Sequence, residues 1–143
     1  MKVYNMDGEE FIKSVIKSDL HQRWSGSTHP THSFHVVMNL PSLAVDFLRS
    51  FRGLLSTSEI HPPHVTSLPM IHCYTFSRAE DPSADAAEMT AAALGLASFD
   101  DLQDCSVRVV RNVAPGKEML CMTFRLPWHV LSADEHGMSA SLW

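Results

Sequence analysis

Long apolar runs are missing from this 143-residue chain, none approaching the ~18 residues that a membrane-spanning helix needs. Basic charge is scarce as well: eleven Lys and Arg stand against sixteen Asp and Glu, a formal net charge of −5. The basic residues are scattered, with local groups only at Arg49/Arg52 and Arg108/Arg111/Lys117. Phosphate contacts need clustered cations, so this balance argues against the chain being a main nucleic-acid-binding surface. Cysteine is limited to Cys73, Cys105 and Cys121, each inside an apolar, strand-like run. That placement predicts buried free thiols in a reducing compartment. No signal-peptide pattern is visible at the amino terminus, which bears on targeting only if Met1 is the natural start.

A hydrophobic content of 45% and a charged content of 19% are those of an ordinary globular domain, and the length suits one domain with a real core. The chain is organised around Phe34-His35-Val36-Val37-Met38-Asn39-Leu40-Pro41. An apolar run of strand length ends on Asn39, and Pro41 stands where a helix can begin, since a first-turn amide has no intrahelical partner. Behind it Leu40, Leu43, Ala44, Phe47, Leu48, Phe51 and Leu55 recur at helical spacing, predicting an amphipathic helix that ends near Gly53. A strand turning at once into a helix is half of a βαβ unit. It leaves Asn39 at the carboxyl end of the strand, where open α/β sheets bind ligands.

Before this unit, Lys2 to Asp7 reads as a short strand closed by the Asp7-Gly8 turn signal, followed by a helix carrying Phe11, Ile12, Val15, Ile16 and Leu20. Trp24 to Ser33 and Ser56 to Ser67 read as loops, and Leu68 to Phe76 as a strand buried on both faces. Asp81-Pro82 starts a helix that Gly95 ends. Cys105 to Val110 and Met119 to Leu126 flank Ala114-Pro115-Gly116-Lys117 as a hairpin. From Pro127 the pattern loses periodicity apart from Trp128 and Trp143. The expected division is a packed unit over 1–126 and a mobile tail over 127–143. The order of elements is that of an α/β protein.

Asn39-Leu40-Pro41 at the end of an apolar strand resembles the asparagine-leucine-proline motif of the tRNA (guanine(37)-N1)-methyltransferases. Asn5-Met6-Asp7-Gly8, Ile71-His72-Cys73-Tyr74-Thr75-Phe76-Ser77 and Val110-Arg111-Asn112-Val113-Ala114-Pro115-Gly116-Lys117-Glu118-Met119 fit the same family in the same order. The likeness runs from about Val3 to Leu126 and covers only the last part of the family's proteins. It implies the C-terminal portion of a Rossmann-like class I methyltransferase fold: a mostly parallel sheet with a terminal antiparallel hairpin, its last strand between two parallel neighbours. It implies S-adenosylmethionine as cofactor of the complete protein and tRNA as partner, held through upstream domains. It implies an intracellular setting, whether cytoplasm, nucleus or mitochondrial matrix. The family's general base, its arginine cation and its glycine-containing cofactor loop match no residue of this chain, so the isolated chain is expected to be inactive.

By that resemblance Asn39 helps hold the target guanine and lies against the cofactor, and Pro41 fixes the loop beside it. Asp7 accepts from the exocyclic amine of the cofactor adenine, and Pro115 lies near the target nucleotide. The plainer readings are helix capping for Asn39 and turn formation for Asp7. Two histidine groups, His29/His32/His35 and His61/His64, invite a metal hypothesis, but Pro30 and the strand at His35 deny helical convergence, so surface loops are the better reading. A Cys73–His72 nucleophile pair fails because adjacent strand residues point to opposite faces. Asp46, Asp81 and Asp85 read as helix-surface and cap residues. Two alternatives stand: the aminocarboxypropyl transferase of wybutosine synthesis, whose relatives often carry Asn-Pro-Pro, and a non-catalytic interaction module. The first strand, deprived of the neighbours the complete fold would give it, is expected to pack differently or to pair with a second copy.

Overall fold

The computed structural model describes residues 1–26 and 30–134. His29 and Trp143 lie outside them, as does most of the expected tail. The elements in order are α1 Gly8–Phe11, a π-helical stretch Ile12–Ile16, α2 Lys17–Ser25, β1 His35–Met38, α3 Ala44–Phe47 and β2 Met70–Ser77. They continue with α4 Pro82–Leu94, β3 Gln103–Ala114, β4 Lys117–Arg125 and α5 Trp128–Leu131. Short 3₁₀ turns at Leu48–Phe51, Val65–Ser67 and Phe99–Asp101 complete the set.

The four strands form one sheet in the order β1-β2-β4-β3. β1 and β2 are parallel, and β4 runs antiparallel to both β2 and β3. The last strand therefore lies between two strands that share a direction, as the resemblance implied. Val36, Ile71, Cys73, Leu120, Met122 and Phe124 point inward and form one core with Ile12, Ile16, Leu20, Leu48, Phe51, Ala86 and Leu94 of the helical layer. The inward residues of β2 are fully buried, whereas its outward residues Met70, His72, Tyr74 and Phe76 are only half-buried. Burial on both faces, expected from the mixed apolar run, is thus complete on one face alone.

α4 is terminated at both ends by its own sequence. Asp81 accepts the amide hydrogen of Ala84, Pro82 opens the first turn, and Gly95 adopts φ 75°. The amides of Gly95 and Leu96 donate back to the carbonyls of Ala92 and Ala91, satisfying two orphan acceptors in a Schellman arrangement. In the hairpin, Pro115 and Gly116 form the two-residue connection between Ala114 and Lys117, Gly116 at φ 72°. Proline supplies the fixed dihedral of the first turn position and glycine the positive one of the second.

Four expectations need correction. Lys2 to Asp7 forms no strand: the segment is exposed throughout, because an edge needs a partner and no described strand lies beside it. The first helix runs through Trp24 to Ser25, where Gly26 stops it, so the loop begins later than expected. Trp24 stays in the helix because its indole donates to Ser67 Oγ at 2.6 Å and packs edge-on to Trp128. The helix behind Pro41 is short: Leu43 and Ala44 donate to Leu40 O, making Pro41 part of a turn, and Arg52 leaves the helical region at ψ 119°. Finally, Val130 and Leu131 are buried, and their carbonyls accept from Gly53 and Leu55. The packed unit thus reaches at least Leu131, past the boundary expected at Leu126.

Candidate functional site

β1, β2 and β3 end on one edge of the sheet, and the elements that follow β1 and precede α1 meet there. A cleft of about 380 Å³ opens at this place, lined by Asp7, Gly8, Phe11, Val36, Met38, Leu40, Leu43 and Phe47 among others. Leu40 and Leu43 are about half exposed. The helical spacing assigned them to the core, but the turn at Pro41 turns them out to become cleft wall.

Asp7 is held by the start of α1. Its Oδ2 accepts the amide hydrogens of Glu9 at 3.0 Å and Glu10 at 3.4 Å, which caps the helix. Oδ1 makes no hydrogen bond to the described residues and remains an acceptor at the cleft rim. Gly8 beside it lets the helix start approach the Phe47 ring, since a Cβ there would lie 2.8 Å from a ring carbon. The π-helical stretch follows at once and puts Ile12 and Ile16 into the cleft floor.

Asn39 is exposed at the end of β1 and caps nothing: the residue before α3 is Leu43, which makes no side-chain cap. Its amide makes no hydrogen bond to the described residues. Pro41 lines a second cleft of about 400 Å³ with Asp46, Arg49, Thr75 and Phe76. Pro115 stands exposed at the hairpin tip and lines neither cleft. Of the Asn39-Leu40-Pro41 turn, only Leu40 shares the first cleft with Asp7; Pro41 lies in the second, and Asn39 and Pro115 line neither. Along the sheet, Met38 pairs with Cys73 while Ser77 pairs with Glu118, so β1 ends several residues short of β2. That step leaves room above Asn39.

The other candidate groups have local partners. Asp85 accepts from Ser77 Oγ at 2.6 Å, tying the end of β2 to α4, a link with no sequence signal beyond proximity. Cys73 points into the core, and burial, with the neighbouring Cys121 thiol, pushes its pKa up to about 12. His72 points outward. Its ring stacks on His35, with centroids 5.2 Å apart and Nε2 2.9 Å from His35 Nδ1, and its Nδ1 lies 3.3 Å from Thr123 Oγ1. Burial and the His35 charge hold its pKa below the ordinary histidine value. Spacing had grouped His35 with His29 and His32, but parallel pairing gives it to His72. Among the described residues no three metal-ligating side chains converge, and no helix is long and apolar enough to cross a membrane.

An α/β layer with an apolar cleft and a free carboxylate oxygen at the carboxyl edge of its strands belongs to the class of α/β domains that bind ligands at that edge. No family model matches the chain. Over 136 residues, 94% of its length, it is 43% identical to a human protein named tRNA (guanine(37)-N(1))-methyltransferase. Proteins of the same name from Xenopus tropicalis and Drosophila melanogaster are 44% and 35% identical over 92% of the chain. A crystal structure of wild-type Trm5b from Pyrococcus abyssi aligns with a TM-score of 0.42 and 26% identity, over 64% of this chain and 24% of that one. The chain is a relative of the tRNA (guanine(37)-N(1))-methyltransferases. It spans about a quarter of the length of the human protein.

Proposed function

We propose that this chain forms part of the catalytic domain of an S-adenosylmethionine-dependent enzyme that methylates N1 of guanine 37 in tRNA. The observation that carries the reading is the 43% identity over 94% of the chain, together with the meeting of Asp7 and Leu40, the middle residue of the Asn39-Leu40-Pro41 turn, at one cleft. The cleft suits the adenosyl end of the cofactor: its walls are apolar, and Asp7 Oδ1 offers an acceptor for an exocyclic amine. When bound, the cofactor supplies an electrophilic methyl group on its sulfonium.

The chain's own residues orient and exclude water. Met38, Leu40 and Phe47 wall the cofactor ring, and the Asn39 amide, free of internal partners, reads the edge of the guanine with one donor and one acceptor. Pro41 limits the backbone of the turn, so that the amide is presented without a large ordering cost. Removal of the N1 proton requires a base, and stabilising charge at O6 requires a cation. Asp46, Asp81 and Asp85 do not serve: Asp81 caps α4, Asp85 holds Ser77, and Asp46 lies on the α3 surface beside the second cleft. Base and cation come from outside this chain, which alone binds S-adenosylmethionine no more tightly than about millimolar, because too few contacts remain to offset association.

A chimaera tests this, with this chain replacing the matching segment of the human relative. It is expected to methylate guanine 37, and Asn39→Ala is expected to lower kcat by at least tenfold with little change in protein stability. An inactive but folded chimaera, or micromolar cofactor binding by the chain alone in calorimetry, would overturn the reading.

A further inference from the structure

The outward face of the sheet contributes only Val37 to the cleft, and its character changes from one side to the other. Over β1 and β2 it carries His35, Val37 and His72. Over the β3–β4 hairpin it becomes basic. Pairing sets Arg108 opposite Cys121, Arg111 opposite Met119 and Ala114 opposite Lys117. Simple alternation from Arg108 would send Arg111 inward, but the register shifts between Val109 and Arg111, and this bulge returns Arg111 to the outward face. Outward positions along a strand are about 7 Å apart, so the three cations form one row beside the carboxyl edge.

Nothing acidic shares that row. The outward positions Ser106, Arg108, Arg111, Lys117, Met119, Cys121, Thr123 and Arg125 contain no carboxylate. Asp104 is held by Arg125 at 2.9 Å, and Glu118 pairs across from Ser77 on the inward side, where Asn112 Nδ2 donates to it at 3.0 Å. Arg108, Arg111 and Lys117 form no ion pair among the described residues. Two aromatic rings border them: Lys117 Nζ lies 4.2 Å above the Phe76 ring, and Tyr74 is opposite Cys121, across β4 from Arg108. A concentration of free cations in a chain of net charge −5 is a local feature that the total conceals.

We propose that this outward hairpin face is a contact surface for unpaired RNA, with phosphates against Arg108, Arg111 and Lys117 and a base stacked on Tyr74. The proposal deepens the methyltransferase reading and rests on it for the kind of RNA, an unpaired stretch of tRNA. The surface lies beyond the cleft edge, so it holds the nucleic acid flanking the reacting base and not the base itself.

The test is fluorescence anisotropy with the chain and a labelled single-stranded RNA of about twelve nucleotides, titrated at several salt concentrations. Binding is expected in the micromolar range. Arg108→Gln/Arg111→Gln/Lys117→Gln is expected to weaken it at least tenfold and to flatten the slope of log affinity against log salt by about 2, three contacts at ~0.7 each. Lys13→Gln/Lys17→Gln on the first helix is expected to change affinity less than twofold, and Tyr74→Leu to weaken it severalfold. Unchanged affinity in the triple variant, or absence of RNA binding, overturns the proposal. In the chimaera, Arg108→Cys is expected to react with a maleimide; protection would mean that polypeptide covers the face, and overturns it too. The two readings fail separately: an active chimaera indifferent to the triple variant sinks the surface alone, and an inactive one whose RNA binding still needs the three cations sinks the enzyme alone.

Discussion

Asp7 carries two assignments that one residue can satisfy together, and two substitutions separate them. Its Oδ2 accepts two amide hydrogens at the start of the first helix, while Oδ1 makes no hydrogen bond to the described residues and the residue itself lines the cleft. Replacing a carboxylate cap by alanine typically costs about 1 kcal/mol, and replacing it by asparagine or serine costs a few tenths, because all three accept equally well from the helix amides. The helix anchors Ile12, Ile16 and Leu20 in the core, so the loss should register in global unfolding. For a domain of this size, about 1 kcal/mol lowers Tm by roughly 3 °C. Urea unfolding followed by circular dichroism is the assay: Asp7→Ala shifts the midpoint at constant slope, and Asp7→Asn does not. In the chimaera, Asp7→Asn keeps the cap but turns part of the free acceptor into a donor that faces the adenine amine. The KM for S-adenosylmethionine is then expected to rise at least tenfold, with kcat nearly unchanged, as for loss of a charge-assisted hydrogen bond of about 1.5–3 kcal/mol. A midpoint shift in Asp7→Asn as large as in Asp7→Ala would refute the capping argument. An unchanged KM in Asp7→Asn would refute the cofactor contact.

Leu131→Ala is expected to cost about 2–5 kcal/mol, because Leu131 is fully buried; a change below about 0.5 kcal/mol would mean that α5 is not part of the packed unit. Native-state alkylation at pH 8, read by mass spectrometry, should spare Cys73, whose pKa near 12 leaves about one thiolate in ten thousand, while half-exposed Cys105 reacts; equal rates would contradict the burial. His72 has a lowered folded pKa, so the unfolded chain binds its proton first. Stability is therefore expected to fall as pH drops below the unfolded value of about 6.5, and His72→Gln should flatten that slope; an identical slope in the variant would exclude the pair as its source.

Where a sequence signal was local, the structure repeats it residue for residue. Asp81, Pro82 and Gly95 bound their helix because each satisfies or removes a backbone group within its own turn, and Pro115-Gly116 needs no distant partner to turn the hairpin. The signals that misled were completed from far away. Tyr4 and Met6 alternate like strand residues, but no described strand lies beside them to receive their hydrogen bonds. The helix behind Pro41 stops because the amides of Gly53 and Leu55 are taken by Val130 and Leu131, some 76 residues later in the chain by their numbering. The site was legible in part. Motif order led to Asp7 and Asn39, but not to the cleft walls of Leu40 and Leu43, whose spacing is equally that of a core face. Arg111 was visible only as one of a scattered group, since no alternation rule foretells a bulge.

The strand order has a consequence for synthesis. β2 and β3 do not pair with each other; among the described strands β4, which follows both in the chain, joins them. When the chain has emerged through Ala114, β1 is paired with β2 while β3 is attached to neither of them. The sheet becomes continuous within the nine residues Lys117–Arg125. Until then the buried faces of β2 and α4 stay open to other chains on the same ribosome-bound transcript, and any premature stop before β4 releases a product without a continuous sheet.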